Sequence, residues 1–254
     1  MLRSLKRLNQ NKYIERKSMR DYTCVDIETT GISPQHAQII EIGALKVRDG
    51  EVVDTFSKLI DPLREVPAEI TALTGINTEM VEGEPTIDIV LPEFIDFAGD
   101  DLLLGHNVRF DYSFLKQNAM NLNLDFRGSG MDTLRIARAK CPELQSRSLD
   151  FLCDHFGIND ENHHRAFNDA KVTSELYLMF YDMFRSDNPE LFQPREFIYK
   201  PKKSSPITDK QKRYLLALIS YHNLGIDYDI NELSKSEASR KIDYIISTKG
   251  KIIR

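Results

Sequence analysis

Two acids two positions apart, Asp26 and Glu28, end a strand-forming segment in the stretch DIETTG. Side chains alternate across a strand, so both carboxylates point to the same side. Two anions on one face raise each other's pKa unless a cation lies between them. Because oxygen ligands suit magnesium or manganese, the stretch predicts a divalent-cation site. The alternative is a pair of solvent-facing acids on an edge strand.

Two further acids and a histidine stand at spacings that fit the same chemistry. Asp111 lies in the first turn of a predicted helix, where the helix dipole alone would also favour an acid. Asp169 follows His164 by five residues, which is about 140° around a helix. We therefore expect Asp169 on a helix and His164 on the loop that enters it, over the site. The alternative for a lone histidine is a surface or satisfied core position.

The elements that must position these residues can be predicted from apolar periodicity and turn signals. Two β-rich runs, 39–47 and 51–60, flank Asp49-Gly50 and predict a hairpin next to the strand through Asp26. The run 101–105 predicts a buried strand, and a strand end precedes a helix within 131–140. Further helices are predicted at 86–99, from 110 to 119, at 148–157 and at 164–184. This order predicts an α/β fold, a mixed sheet with helices on its faces.

The two ends of the chain differ from this body. Residues 1–20 carry seven Lys/Arg and one acid, and predict a basic, partly helical arm. Residues 186–206 contain four prolines and predict a linker. Beyond it, Thr208-x-x-Gln211 and Ser234-x-x-Glu237 fit the capping-box pattern. Residues 207–254 are therefore predicted to form a small helical module, two amphipathic helices packed as a hairpin.

Composition restricts the class of protein. Hydrophobic content is 41% and charged content 29%, and no apolar run approaches the roughly 18 residues of a membrane span. We expect no export signal, and three cysteines without a Cys-x-x-Cys pair predict a reducing cytoplasm. Residues 21–194 hold thirty-one acids against fourteen basic residues. This imbalance favours a body that binds cations and ends that touch phosphate, with solvated tails as the alternative.

Taken together, the motifs resemble a known family over roughly residues 20–185. The resemblance is to the DnaQ-like proofreading exonucleases with four acids and one histidine, a group that includes the epsilon-type subunit of bacterial DNA polymerase III. It is carried by Asp26-x-Glu28-Thr29-Thr30-Gly31, His106-Asn107-x-x-Phe110-Asp111 and His164-Arg165-Ala166-x-x-Asp169-Ala170. Similar segments are Met131-Asp132-Thr133-Leu134 and Leu73-Thr74-Gly75-Ile76.

The resemblance implies a ribonuclease H-like fold with a five-stranded mixed sheet flanked by helices. It implies hydrolysis of nucleic acid from the 3′ end to nucleoside monophosphates. Two divalent ions, Mg²⁺ or Mn²⁺, would be held by four acids, with one of them bridging both ions. His164 would act as general base, since an imidazole titrates near neutral pH. The four metal ligands would be Asp26, Glu28, Asp111 and Asp169, with Asp26 as the bridge.

Substrate contacts follow from the same motifs as expectations. Thr29, Thr30 and Gly31 would form the floor of the nucleotide site, and Leu73 and Thr74 would face the sugar and base of the terminal nucleotide. The remaining candidates are His106 and Asn107, which would hold the scissile region or orient the neighbouring loop, and Phe110, which would stack on a base or belong to the core. Arg165 would contact phosphate or pair with a nearby acid.

Several functions and partners stay open at this point. A DNA exonuclease is favoured, and an RNA-trimming exoribonuclease or a catalytically silent binding module are the alternatives. Expected partners are single-stranded or frayed 3′ ends and a DNA polymerase or another replication or repair protein in trans, with no membrane. The start of the helical module is basic and predicts phosphate contact, or only a charged linker, through Lys200, Lys202, Lys203, Lys210, Lys212 and Arg213.

Overall fold

A computed structural model of the protein describes residues 19–159, 164–200, 206–226, 228–231 and 233–252. Most of the predicted basic arm lies outside these residues, and so do Lys202 and Lys203 of the predicted phosphate contact. The described part begins just before the first strand. The described residues contain all the residues predicted for the active site, from Asp26 to Asp169.

The strands of the described residues form one mixed sheet in the order β3-β2-β1-β4-β5-β6. Strands β1 to β3 are an antiparallel meander, as predicted, and β4 runs parallel to both β1 and β5. The expected five strands are joined by a sixth, which pairs antiparallel with β5. The strands are β1 (Tyr22–Thr29), β2 (Ile39–Arg48), β3 (Glu51–Leu59), β4 (Leu103–Gly105), β5 (Ser129–Asp132) and β6 (Arg195–Glu196).

The sixth strand comes from the segment predicted as a linker. Phe192 and Phe197 are buried in that segment, and a 3₁₀ helix lies at Pro189–Leu191. The Arg135 guanidinium donates hydrogen bonds to the carbonyl oxygens of Leu191, at 2.6 Å, and of Gln193, at 3.2 Å. The linker prediction was based on these prolines, but Phe192 and Phe197 between them are buried and hold this backbone on the body. The exact domain boundaries stay a prediction.

Helices cover both faces of the sheet and form the carboxy-terminal module. All the helices predicted from periodicity are confirmed, and Gly157 ends the helix predicted at 148–157 in a left-handed conformation with φ 70°. Two short helices between β3 and the helix predicted at 86–99 were not predicted. The helices are α1 (Ala68–Thr74), α2 (Thr78–Val81), α3 (Ile87–Ala98), α4 (Arg109–Asn121), α5 (Thr133–Lys140), α6 (Leu149–Phe156), α7 (Ala166–Phe184), α8 (Asp209–Tyr221) and α9 (Lys235–Lys249).

The alternation of side chains along β1 decides which helices face the acids. Val25 and Ile27 belong to the apolar cluster that contains α3 and α4. Cys24 belongs to the opposite cluster, which contains α5, α6 and α7. Asp26 and Glu28 share the parity of Cys24, so they lie on the α7 face of the sheet. The sheet therefore directs the two acids of β1 toward the helix that carries Asp169.

The helical module has a small core of its own. Both predicted capping boxes form, because the Thr208 and Ser234 hydroxyls accept from the amides of Gln211 and Glu237 while those side chains accept from the N-cap amides. Helices α8 and α9 pack through one apolar cluster, which includes Leu215, Leu218, Ile230, Leu233, Ala238, Ile242 and Ile245. In the part of the chain that the structure describes, no helix combines the length and apolar character of a membrane span.

Candidate active site

The acids of β1 lie in the middle of the sheet, at its carboxyl-terminal edge. Asp26 is opposite Gly43 of β2, and Glu28 is opposite Glu41. Both acids of β1 keep partial solvent exposure. A central strand that ends in two accessible carboxylates presents oxygen ligands at one point of the surface. This arrangement excludes the edge-strand alternative for the pair.

Asp111 reaches the same point from α4. Its side chain is 3% exposed, and its Oδ1 accepts a hydrogen bond of 3.1 Å from the amide of Ile27. Ile27 stands between the two acids of β1, so this bond joins the first turn of α4 to the strand. A helix-terminus acid that served only the dipole would have no need of this buried contact with β1.

His164 and Asp169 complete the cluster from the start of α7. Arg165 is the N-cap of α7, so His164 precedes the helix, with φ 62°, and Asp169 lies in its first turn. Ligand atoms of Glu28, His164 and Asp169 all lie within 4.8 Å of one another. The prediction that the histidine stands on the entering loop, near the acids, is confirmed.

The start of α7 is held on β2 by one acid. Glu41 is 1% exposed, and both its oxygens accept from the Arg165 guanidinium, with distances of 2.7 to 3.2 Å. Its Oε2 also accepts from the amide of Ala166, at 3.0 Å. Of the two predicted roles for Arg165, pairing with an acid is therefore the one observed. Glu41 and Arg165 together fix the loop and the helix that carry His164 and Asp169.

Gly43 lets α7 approach β2 as closely as this contact requires. A Cβ placed on Gly43 would lie 2.0 Å from the amide nitrogen of Phe167 and 2.2 Å from the carbonyl carbon of Ala166. Real Cβ atoms do not approach backbone so closely, so any side chain here would push α7 away from the sheet. Because Gly43 faces Asp26 across the two strands, the helix start lies directly over the acids.

The acids share a strongly anionic environment. Burial is the largest of the causes that together raise the pKa of Glu28 to about 8, and the charges of Asp169, Glu41 and Asp111 contribute to this rise while Arg165 opposes it. Burial is also the largest cause that raises the pKa of Asp26, followed by Asp111 and Asp169. For Asp111, burial outweighs the lowering effect of its backbone hydrogen bonds. Ionised together, these groups need a cation nearby.

The donor set fits a hard divalent cation. Four carboxylates converge, and hard oxygen donors are the ligands of Mg²⁺ and Mn²⁺. No thiolate takes part, because all three cysteines are buried in apolar surroundings and free of disulfides. The Cys24 thiol instead donates to the carbonyl of Ala170, at 3.1 Å. The residues present thus fit an oxygen-ligated metal centre.

The threonines after Glu28 shape the turn that leaves β1. The Thr29 hydroxyl donates to the carbonyl of Gly31, at 2.7 Å, and the Thr30 hydroxyl accepts from the amide of Gln38, at 2.9 Å. Because Thr30 acts as an acceptor there, its hydroxyl proton is available for donation to another group. A Cβ on Gly31 would meet Ala37 at an ordinary 3.5 Å, so crowding by Ala37 does not explain the glycine.

The other predicted substrate contacts divide into exposed and internal side chains. Leu73 is 54% exposed at the end of α1, but the Thr74 hydroxyl donates to the carbonyl of Ile70 and accepts from the amide of Ile76. Thr74 therefore serves the end of its own helix. Phe110 is half-buried against the core, with its ring 5.0 Å from that of Phe114. Part of this ring is left for a base.

His106 orients the loop after β4. Its Nδ1 is 2.9 Å from the Thr133 hydroxyl and its Nε2 is 2.9 Å from the carbonyl of Arg147. Burial lowers the pKa of the ring, which favours the neutral form. Of the two predicted roles, orientation of the neighbouring loop is the one this geometry fits. Asn107 is exposed beside it, and its backbone N–H donates to the Asp132 carboxylate.

Two residues near the site were missed by the sequence reasoning. Glu41 interrupts an apolar run, IIEIG, and a lone acid on a central strand must find a partner. That signal could have identified it. Asp150 lies in the first turn of α6, with its Oδ2 3.8 Å from Nε2 of His164. Its position is typical of any helix-start acid, so nothing in the sequence marked it.

Comparison with known proteins identifies the body. The family model described as Exonuclease matches residues 23–177. The chain belongs to the exonuclease family. This exonuclease domain is 47% identical over 156 residues to the PolC-type DNA polymerase III of Clostridium perfringens, which covers 61% of this chain and 11% of that protein. It is 35% identical over 158 residues to DNA polymerase III subunit epsilon of Aquifex aeolicus, which covers 62% of this chain and 78% of that subunit.

The exonuclease domain has the same fold as solved exonuclease structures. A structure of exonuclease X in complex with 5′-overhanging duplex DNA matches with a TM-score of 0.54 and 26% identity, over 68% of this chain and 97% of that one. The predicted ribonuclease H-like class is confirmed by this match, with the sixth strand as an addition. Residues after 177, which include the helical module, lie outside the matched family model.

Proposed function

We propose that this exonuclease domain hydrolyses DNA from the 3′ end and releases nucleoside monophosphates. The observation that carries the proposal is the convergence of Glu28, His164 and Asp169 within 4.8 Å, beside Asp26 and Asp111. Four acids and one imidazole at the carboxyl edge of a sheet provide both metal ligands and a proton acceptor. A binding module that had lost catalysis would not need this complete set.

We assign Asp26, Glu28, Asp111 and Asp169 as ligands of two divalent ions, Mg²⁺ or Mn²⁺. Bound ions would lower the pKa of an attacking water and balance charge on the leaving 3′ oxygen. The acids of β1 supply accessible oxygens from a rigid strand, whereas Asp111 and Asp169 supply buried ones from two helix starts. Asp26 is our candidate for the acid that would hold both ions, because the charges of Asp111, Asp169 and Glu28 all act on its carboxylate.

His164 is our candidate for the general base. Its side chain is 37% exposed, so water can reach the ring, and it stands beside Glu28 and Asp169. A neutral imidazole takes the proton of a water held next to the acids. The carboxylate of Asp150 lies 3.8 Å from Nε2 of this ring. The Glu41 and Arg165 pair keeps the loop of His164 in place during this transfer.

We favour DNA and a proofreading role because the relatives are components of DNA polymerase III. The chain spans only 11% of the length of its PolC-type relative. A DNA polymerase partner is part of the proposal because the relatives are DNA polymerase III proteins, and so is a cytoplasmic setting, which free cysteines suit. Thr30, Leu73, Asn107 and Phe110 are our candidates for contact with the 3′-terminal nucleotides.

The test uses 5′-labelled single-stranded DNA and RNA of the same sequence, with Mg²⁺, with Mn²⁺ and with chelator. We expect DNA to shorten from the 3′ end, with loss of activity in chelator. Faster shortening of the RNA would move the assignment to an exoribonuclease. Binding of both substrates without cleavage under any metal condition would instead support a silent binding module.

Matched variants connect the activity to the site. His164→Ala should lower kcat by about 10²–10⁴-fold, the usual contribution of a general base. His155→Ala removes an exposed histidine from α6 and should leave kcat unchanged. Equal rates in the two variants would exclude His164 as the base.

A further inference from the structure

The segment that follows β6 lies after residue 177, where the matched family model ends, and it brings Tyr199 onto the body. Phe197 is buried, and its amide donates to the carbonyl of Gly128, at 3.0 Å. Its ring lies 5.3 Å from that of Tyr112 on α4. The Tyr199 side chain packs against the same apolar cluster. Tyr199 therefore reaches the body from backbone that is anchored two positions earlier.

The Tyr199 hydroxyl joins two other parts of the body. It accepts a hydrogen bond of 2.8 Å from Nε2 of Gln35, which lies in the β1–β2 loop (residues 30–38). It donates a hydrogen bond of 3.0 Å to Oε1 of Gln117, a side chain of α4 that is 3% exposed. The two bonds connect residues 164 and 82 positions apart in the chain. One phenol oxygen therefore fixes the distance between the β1–β2 loop and α4.

The β1–β2 loop and α4 both lead directly to the candidate active site. The loop begins at Thr30, two residues after Glu28. It is closed at its base, because the Thr30 amide donates to the carbonyl of Gln38, at 2.8 Å, and the Thr30 hydroxyl accepts from the amide of Gln38. Helix α4 carries Phe110 and Asp111 in its first turn. A shift of the loop relative to α4 would therefore change the space between Thr30 and Phe110.

A second contact supports the β1–β2 loop from another direction. The Arg64 guanidinium donates two hydrogen bonds, of 2.8 and 3.1 Å, to the carbonyl of His36. Arg64 lies after β3, so this contact holds the turn of the loop against that side of the body. The contact with Tyr199 instead joins the loop to the helix that carries Asp111. The two supports therefore have different roles, and loss of the Tyr199 hydroxyl would leave the turn in place.

We propose that Tyr199 is a positioning residue for the nucleic-acid substrate, because it sets the separation of the β1–β2 loop from α4. The inference rests on the proposed function, in which Thr30 and Phe110 contact the 3′-terminal nucleotides. The two hydrogen bonds of Tyr199 go to glutamines and not to the four acids. Loss of the hydroxyl should therefore weaken the hold on the substrate and leave the metal ligands in place, so KM changes and kcat does not.

The first test removes the hydroxyl and keeps the ring. Tyr199→Phe should raise KM for oligothymidylate about threefold to tenfold, the effect of one or two neutral hydrogen bonds, with kcat near the native value. Tyr244→Phe, at a tyrosine of α9 that is 48% exposed, is the matched control and should leave both constants unchanged. A fall in kcat at unchanged KM, or native values of both constants in Tyr199→Phe, would overturn the proposal.

A double-mutant cycle tests whether the hydroxyl acts through the loop. Gln35→Ala removes the side chain that donates to Tyr199 and should raise KM by a factor similar to that of Tyr199→Phe. The two changes together should raise KM no more than either alone, because both remove the same contact. Effects that multiply in the double variant would show that Tyr199 does not act through Gln35, and would also overturn the proposal.

Binding without cleavage separates this inference from the proposed function. In an Asp169→Asn background with Mg²⁺, fluorescence anisotropy measures the affinity for labelled oligothymidylate, which Tyr199→Phe should weaken by the same factor as it raises KM. If the native protein cleaves no DNA and Tyr199→Phe still weakens binding, the proposed function fails and the positioning role stands. An unchanged affinity, with or without a loss of stability in urea titration, would overturn the positioning role.

Discussion

The exonuclease body and the helical module are stabilised by contacts of different range. In the module, each helix begins at a box of residues three positions apart, such as Thr208 with Gln211. In the body, the site depends on the bond from Ile27 to Asp111 and on the pair of Glu41 with Arg165, which join residues 84 and 124 positions apart. Local sequence can therefore specify a helix, whereas the cluster of acids forms only when the sheet has assembled.

The sharpest test of this contrast removes one acid from each region. Asp169→Asn should lower exonuclease activity by at least about 10³-fold, because metal ligation contributes several kcal/mol to the barrier. The same change at the exposed Asp243 of α9, which has no part in the proposed metal centre, should leave the rate unchanged. A metal-dependent gel assay of both variants is the measurement. Comparable losses would show that the chemistry does not belong to the body alone.

Truncation locates the boundary between the two regions. A chain that ends at residue 200 keeps Phe192, Phe197 and β6, so its body should keep the native free energy of unfolding. A chain that ends at residue 185 loses both buried rings and should be less stable by at least about 3–5 kcal/mol. Urea titration of the two truncated proteins measures the difference. Equal stability would mean that the segment contributes nothing to the body.

The next prediction concerns the pair of Glu41 and Arg165 at the start of α7. Glu41→Gln removes the charge that faces Arg165 and should cost about 1–3 kcal/mol of stability. Activity should fall about 10–100-fold, as for other residues that orient metal ligands. Glu51→Gln changes an exposed acid on β3 of the same sheet and serves as the control. Denaturant titration and kcat are measured for both, and an unchanged kcat in Glu41→Gln would remove its positioning role.

The pH dependence of stability distinguishes the buried acids of the body from the exposed charges of the module. Without metal, the folded pKa of Glu28 is about 8, above its ordinary 4.5. A raised pKa means stability that is fully present below pH 4.5 and is lost as the pH rises toward 8. Each kcal/mol lost lowers Tm by about 2–4 °C in a chain of this size. Calorimetry in chelator should show this decline.

Two further calorimetric measurements identify the groups that cause the decline of Tm with pH. Glu28→Gln should flatten the decline of Tm between pH 4.5 and 8, because the amide does not ionise. Mg²⁺ should raise Tm of the native protein most at the high end of the range, where the acids are ionised. A profile that is equally steep in Glu28→Gln would assign the decline to other groups.

The smallest effect concerns the module. Ser234→Ala removes the N-cap hydroxyl of α9 and should destabilise the module by about 1 kcal/mol. Native-state hydrogen exchange should show faster exchange in α8 and α9 and unchanged exchange in the sheet. Ser220→Ala, at an exposed position inside α8, is the control. Faster exchange in the sheet as well would mean that the two regions unfold together.

The features predicted correctly are those that short stretches encode. The hairpin of β2 and β3, the helices with clear periodicity and both capping boxes follow from neighbours within a few residues. The position of His164 before α7 was predicted because five helical residues turn through about 140°, so His164 and Asp169 would not share a face of one helix. By contrast, α1 and α2 have weak periodicity, and β6 has only two residues, paired with β5 at a distance of about sixty-five positions in the chain.

Residue types and spacings selected the candidate site residues, because the acids and the histidine stand in three motifs that resemble those of the DnaQ-like exonucleases. They also determined where most helices begin, since caps act within one turn. Only the tertiary structure decided that Glu41 pairs with Arg165 and that His106 orients a loop. It also decided that Gly43 allows α7 to approach the sheet closely. The burial of Phe192 and Phe197 against the body was likewise decided by the tertiary structure. These roles depend on contacts between distant strands and helices, whose partners exist only once the sheet has assembled.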